Sequence, residues 1–341
     1  MTTYESSGVS LARGDAASED AKRQIVQTFD DSVVFDHGIP GKRLRALYPE
    51  LERDIIETTC VDGVGTKLIY AAAADLLETV GEDLVAMVVD DVVRFNRRPI
   101  SFSGYRGRNT IEEEAFHRIL SGMVSGCKKA GTPYLSGETA EMPGFYANNN
   151  FEIVGSSVAH HEFGKLRVGQ DTQIGDALIA LPSRGVASNG FSFLRDIWPP
   201  QDVLAGVCPV TIDEILEPTP IYTQQIIEVN KRCTTIRGWA HITGGGLGER
   251  GKIPQILPQG MTARLFQDNW QVPNIFRLAQ GAAKASDEQM RSTFNLGLMF
   301  IAPVHQDEAM EAFKILTDLG CEPMIVGYVV AQEGSQRVIF S

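Results

Sequence analysis

The sequence predicts a mixed α/β fold (α/β with α+β character) in two domains. Helical and strand periodicities alternate along all 341 residues, which argues for layered helices and sheets. That length suits about two domains. A Gly- and charge-rich stretch over 163–176 interrupts the pattern, so domains are expected at 1–167 and 168–341.

The first 30 or so residues are polar and Gly/Ala/Ser-rich and read as a loosely packed arm. Residues 58–70 read as strand, Gly-punctuated turn and helix start. Over 82–95, Leu84, Val85, Val88, Val92 and Phe95 recur at helical spacing. Pro99 closes that helix, and 100–102 has strand character. Thr110 with Glu113 forms a capping-box pattern. It is followed by the stripe Phe116, Ile119, Leu120, Met123 and Cys127, with Gly131 as a stop. Strands are expected over 151–159, 177–181 and 324–330, and an amphipathic helix over 307–319.

The bulk chemistry excludes several classes. Lys plus Arg is 31 against 43 Asp plus Glu, a net charge of −12. A general nucleic-acid binder needs a basic face for phosphates, so none is expected. The longest apolar runs fall short of the roughly 18 residues a membrane span needs. The chain opens without a basic-then-apolar signal. Five scattered cysteines (Cys60, Cys127, Cys208, Cys233, Cys321) form no Cys-x-x-Cys pair, so a reducing cytoplasm fits.

Five constellations bear chemistry. Val61-Asp-Gly-Val-Gly-Thr-Lys67 puts Asp62, Gly63, Gly65 and Lys67 in one turn; its spacing is not that of a Walker loop. Asp90-Asp91 sits in an apolar helical run. It reads either as a magnesium-type oxygen pair or as a solvated helix face. Ser136-Gly-Glu-Thr-Ala-Glu-Met-Pro-Gly144 carries Glu138 and Glu141 three apart, for one shared site or an acidic surface loop. Ser188-Asn-Gly190 before Phe191 reads as a helix cap, with or without an anion at the helix end. His241-Ile-Thr-Gly-Gly-Gly246 reads as a close backbone approach to a ligand beside an acid/base histidine, or as a hinge.

Taken in order, these segments resemble the phosphoribosylformylglycinamidine cyclo-ligases, or AIR synthetases, of the PurM-like superfamily. The resemblance rests on Tyr4-x-x-x-Gly8-Val9, Asp62-Gly-Val-Gly-Thr-Lys67, Leu84-Val-Ala-Met87 with Asp91, and Gly137-Glu-Thr-Ala-Glu-Met-Pro-Gly144. It continues through Ser188-Asn-Gly190, Pro218-Thr219, Ile221-Tyr222, His241 to Gly246 and Thr293-Phe-Asn295. It implies an N-terminal sheet domain that dimerises, a C-terminal α/β domain and a cleft between them. It further implies a small phosphorylated substrate, ATP and Mg²⁺ as cofactors, and a homodimer. Asp62, Asp90 and Asp91 would hold the metal. Asp62, Gly63, Gly65, Lys67 and Gly137 would serve ATP. Ser188, Asn189, Gly190, Thr243, Gly244, Gly245 and Gly246 would approach substrate. His241, Glu138 and Glu141 would be catalytic, His241 as the acid/base and the two glutamates lining the nucleotide–substrate cleft.

The chain departs from that pattern at particular positions. Asp90 replaces an Asn, Gly104 an Asp, Ala187 a His and Pro220 an Arg. Ser10 and Ala12 replace acids, and 248–252 looks lengthened. Arg94, Arg97, Arg98, Arg106 and Arg108 cluster where the family is neutral or acidic, and read as a basic surface patch or an anion site. These departures leave two alternatives: a divergent relative acting on another amide or amidine, or a non-catalytic binding protein with the same fold.

Overall fold

The protein is described from a computed structural model covering residues 11–147 and 150–341. Tyr4, Gly8, Val9 and Ser10 therefore lie outside the described residues. The expected arm is a helix, Leu11–Ile25, exposed to solvent from Ala16 onward.

Among the described residues, twelve strands form two six-stranded sheets. The first comprises β1 (Val33–Asp36), β2 (Ile39–Arg43), β3 (Ile55–Gly63), β4 (Arg98–Arg108), β5 (Tyr134–Glu141) and β6 (Phe151–Glu162), in the order β1-β2-β3-β6-β4-β5. All pairs are antiparallel except β4 with β5. The second comprises β7 (Ala177–Pro182), β8 (Ala240–His241), β9 (Met261–Leu265), β10 (Leu298–Val304), β11 (Met324–Ala331) and β12 (Val338–Phe340). Its order is β12-β9-β11-β7-β10-β8. Strand β10 is buried along its whole length, matching its unbroken apolar run Leu-Met-Phe-Ile-Ala-Pro-Val.

The helical run predicted over 82–95 begins earlier, at Glu78, and passes through a π turn, Ala86–Asp90, before ending at Val93. It packs on the helix Glu113–Ala130 at close range. A methyl on Gly122 would lie 1.9 Å from the Glu78 carbonyl, and one on Gly81 would lie 2.4 Å from that of Ile119. Only glycine permits that approach, and it seats both helices on one face of the first sheet. The second helix has Gly131 as its left-handed stop, as its sequence predicts. Its start differs: Glu112 takes the cap position and Thr110 lies outside the helix, so no capping box forms.

The helix 78–93 also joins the two halves. Asp83 accepts from the Thr219 amide and hydroxyl at 2.7 and 2.6 Å. Asp90 accepts from the Tyr222 amide at 2.9 Å and the Thr223 hydroxyl at 2.5 Å. Tyr70 donates to the Trp198 carbonyl at 2.7 Å. Buried hydrogen bonds of this kind fix orientation because every alternative leaves a polar group unpaired.

Candidate active site between the two sheets

Four of the five constellations meet along the face between the halves. Thr66 and Ser192 share a hydroxyl contact at 3.2 Å, which docks the Asp62–Lys67 turn against the Ser188–Phe191 segment. A methyl on Gly244 would lie 3.9 Å from the Asn189 side-chain oxygen, so the triple-glycine loop borders the same segment. His241 Nδ1 lies 3.4 Å from Asp91 Oδ1. Asp62 ends β3 and is coupled electrostatically to Asp91 and Lys252.

The loop that starts at His241 is compact rather than hinge-like. Gly246, Gly248 and Gly251 amides each close a tight turn on the carbonyls of Thr243, Gly245 and Gly248. Gly245 has φ +85°, and a side chain there would strike the Arg250 carbonyl at 2.7 Å. The Glu249 carboxylate accepts from the Arg337 and Val338 amides at 3.0 and 2.9 Å, pinning the loop to β12. The chain thereby turns back on itself and delivers the Lys252 ammonium to the Asp91 carboxylate.

Asp91 is the electrostatic centre. Its Oδ1 takes Lys252, with Arg94 Nε at 3.7 Å and His241 at 3.4 Å. Burial pushes the carboxyl up, but Lys252, then His241 and Arg94, hold it well below the usual carboxylate range. Desolvation raises Asp62, partly offset by the Gly63 amide and Lys252. Several polar atoms here are buried without a hydrogen-bond partner: Asn189 Nδ2, Arg94 Nε and Nη1, and both ring nitrogens of His241. Arg94 Nε and His241 Nδ1 face Asp91 at longer range, while Asn189 Nδ2 is the kind of orphaned donor that a ligand site leaves open.

The geometry corrects several sequence expectations. Asp90 is fully buried and spends both oxygens on Tyr222 and Thr223, so it turns away from Asp91 and ties the halves together. Successive helical residues point about 100° apart, which splits the pair. Lys67 is fully buried, ion-paired to Asp83 at 2.7 Å and bonded to the Glu217 carbonyl at 2.9 Å, so it reaches no open surface for phosphate. His241 is likewise enclosed, stacked on Phe300 with ring centroids 4.6 Å apart. Burial, only partly countered by Asp91, lowers it to about 4. It supports Asp91 and has no exposed nitrogen to exchange protons with substrate.

Neither Ser188 nor Asn189 caps the following helix. Gly190 does so with φ 86°, while the Ser188 hydroxyl contacts that of Thr219 at 3.2 Å. Glu138 and Glu141 lie on β5, not in a loop or helix. Side chains alternate along a strand, so residues three apart project from opposite faces. Glu138 accepts from the Thr139 amide at 2.7 Å and Glu141 from the Ile111 amide at 2.9 Å. Strand β5 is also an edge, separated from β3 by β6 and β4. At sheet spacing it stands about 14 Å from Asp62. Gly137 goes with it: Tyr134 folds its ring over Gly104 and Gly137, and its hydroxyl would meet a methyl on either at 2.8 and 2.4 Å. Tyr134 thus occupies the space beside Gly104.

The arginine cluster is only partly at the surface, through exposed Arg98 and half-buried Arg106. Arg94, Arg97 and Arg108 are buried, and Arg97 donates to the Asp91 and Val92 carbonyls at 3.1 and 3.0 Å. Lys252 and Asp83 were invisible as site or tie residues in the sequence. The only signal for Lys252 was the lengthened segment that carries it.

Magnesium binds through one or two carboxylates and completes its shell with water and phosphate oxygens. Asp62 and Asp91 match that donor type and number. Among the described residues no group of three His, Cys, Asp or Glu is placed to hold an ion alone. The residues therefore fit a cation that arrives with phosphate.

The two sheet-bearing halves are those of an AIR synthase related protein. The family model for the N-terminal domain of such proteins matches residues 48–159, and that for the C-terminal domain matches 173–339. At higher resolution, the chain belongs to the phosphoribosylformylglycinamidine cyclo-ligase family. It is 37% identical to the family member from Alkaliphilus metalliredigens, covering 99% of this chain and 97% of the relative. It is 36% identical to that from Myxococcus xanthus, covering 99% of each. Among solved structures the fold is similar to HypE in the HypE–HypF complex, with TM-score 0.63, 15% identity and coverage of 94% and 95%. It is also similar to thiamine-monophosphate kinase from Stenotrophomonas maltophilia K279a, with TM-score 0.61, 13% identity and coverage of 94% and 95%.

Proposed function

We propose that the cleft between the sheets closes the imidazole ring of aminoimidazole ribonucleotide. ATP phosphorylates the formyl amide oxygen of formylglycinamidine ribonucleotide, the amidine nitrogen attacks the activated carbon, and phosphate leaves. The family membership makes the chain an ATP-dependent, C–N bond-forming ligase. The observation that carries the assignment to this cleft is the convergence of Asp62, Asp91, Asn189 and the triple-glycine loop.

Asp62 and Asp91 would hold Mg²⁺, which neutralises polyphosphate charge when bound. Asn189, with its unpartnered amide, and Thr243 to Gly246 would approach the substrate. His241 would act through Asp91, keeping its carboxylate oriented and ionised.

The homodimer is proposed from the first sheet. Helices cover one face. On the other, Val61, Ser156, Ser103 and Ser136 lie opposite one another across four strands. Val61 is 65% exposed and Leu135 on the edge strand 69%. A second copy stacked on this face would cover them and supply Glu138 near a cleft its own chain does not reach. We also propose the division at 163–176 and a cytoplasmic location; among the described residues no helix is long and apolar enough to cross a membrane.

The test is ADP release dependent on formylglycinamidine ribonucleotide. Turnover supports the reading. Tight substrate binding without turnover would overturn it in favour of a non-catalytic binder, and ATPase activity only with another amide would favour a divergent relative.

A further inference from the structure

The most unusual feature of the cleft is a cation already seated on its central carboxylate. Lys252 contacts Asp91 Oδ1, the oxygen that Arg94 and His241 also face. The two side chains are only 20% and 22% exposed, so water screens the pair weakly. The ammonium also acts on Asp62 and on the Cys60 thiol beside it. Lys252 thus stands on an oxygen a divalent cation would use.

Its attachment makes it a tethered rather than a diffusing ion. Glu249 fixes the loop to β12, Gly251 lies under the Gly246 carbonyl, and Ile253 is fully buried. The backbone on both sides of Lys252 is held, while its four-carbon stem leaves the ammonium free to swing. A metal that takes Asp91 must displace this ammonium. In a poorly solvated cleft the displaced charge needs another anionic partner, and a polyphosphate is the anion that arrives with the metal.

We propose that Lys252 competes with divalent metal for Asp91 and transfers to a phosphate oxygen when the metal–nucleotide complex enters. Free metal is thereby kept out, and metal and nucleotide bind cooperatively. The inference rests on the ATP-binding reading of the same cleft, and adds a specific coupling between two ligands.

The experiment is a Mn²⁺ titration followed by electron paramagnetic resonance. It is run with and without a non-hydrolysable ATP analogue, on the full chain and on Lys252→Met and Lys252→Gln. In the wild type, Mn²⁺ alone binds weakly and the analogue tightens it by about tenfold or more, within the usual range of site coupling. In either variant Mn²⁺ alone binds about tenfold tighter, the analogue binds more weakly, and the coupling collapses. Unchanged Mn²⁺ affinity in a folded variant, with analogue binding retained, overturns the role of Lys252 and leaves the ATP reading standing. Absence of analogue binding in the wild type removes the ATP reading and this inference together. Lys252→Gln keeps a polar side chain at the site, so the comparison survives should Lys252→Met fail to fold.

Discussion

The Asp91 cleft and the β5 edge carry the same kind of side chain in opposite states. Asp91 is surrounded within its own chain by Lys252, Arg94 and His241, drawn from two domains. Glu138 and Glu141 are exposed, point to opposite faces, and bond only to nearby backbone amides. The difference teaches that one chain completes its phosphate-side electrostatics but not its acidic edge. In the proposed homodimer a second subunit would bring the two regions together.

The sharpest way to break the comparison is to disturb the frame beneath the cleft. Lys67→Met leaves the buried Asp83 carboxylate without its cation. The expected loss is about 3–5 kcal/mol, read by denaturant unfolding followed by circular dichroism. A loss under about 1 kcal/mol would mean that the pair is not the tie we describe. Next comes Asp91→Asn. It should lower substrate-dependent ADP release about a hundredfold, the scale of losing one preorganised electrostatic group, with the fold retained. Activity near the wild-type rate would move the metal site elsewhere.

Val61→Glu tests the opposite region. A charge on the exposed sheet face should dissociate the dimer in analytical ultracentrifugation while changing chain stability by no more than about 0.5 kcal/mol. A dimer that persists would place the interface on another surface.

The smallest effect concerns pH. Burial, opposed by Thr223 and Tyr222, raises Asp90 to about 7. The native state holds a proton there that an unfolded carboxyl releases above about 3.9. Its stabilising share is therefore complete at low pH and lost as pH rises through about 7. His241 works in the other direction: lowered to about 4 by burial, it favours the native state above its unfolded value of about 6.5, and that share is lost as pH falls. Asp90→Asn should remove the first slope, so that melting temperature climbs more steeply from pH 4 to 6.5 than in the wild type. Identical profiles would show that Asp90 stays ionised.

Much of this architecture was legible in the residues. The apolar stripe from Phe116 to Cys127, the Gly131 stop and the strand over 151–159 follow from local periodicity, and all three recur in the fold. Thr110 misled because a capping pattern is cheap to meet by chance, whereas the helix start depends on where β4 ends. The Asp90-Asp91 doublet misled for a different reason. Neighbours in sequence share a chemistry, but a helical turn sends them to different surroundings. Glu138 and Glu141 suited one site only if their segment were helical or looped; as a strand it separates them.

The sequence by itself determined the mixed α/β class and the family, because periodicity and ordered motifs can be read along the chain. Tertiary structure alone decided which acids work together. The seating of Lys252 on Asp91 needs the triple-glycine loop to fold back across 161 residues of sequence separation. The enclosure of Lys67 needs the second domain to close over it, and that of His241 needs the first to bring up Asp91. Burial and charge pairing depend on distances through space, and no spacing along the chain encodes those.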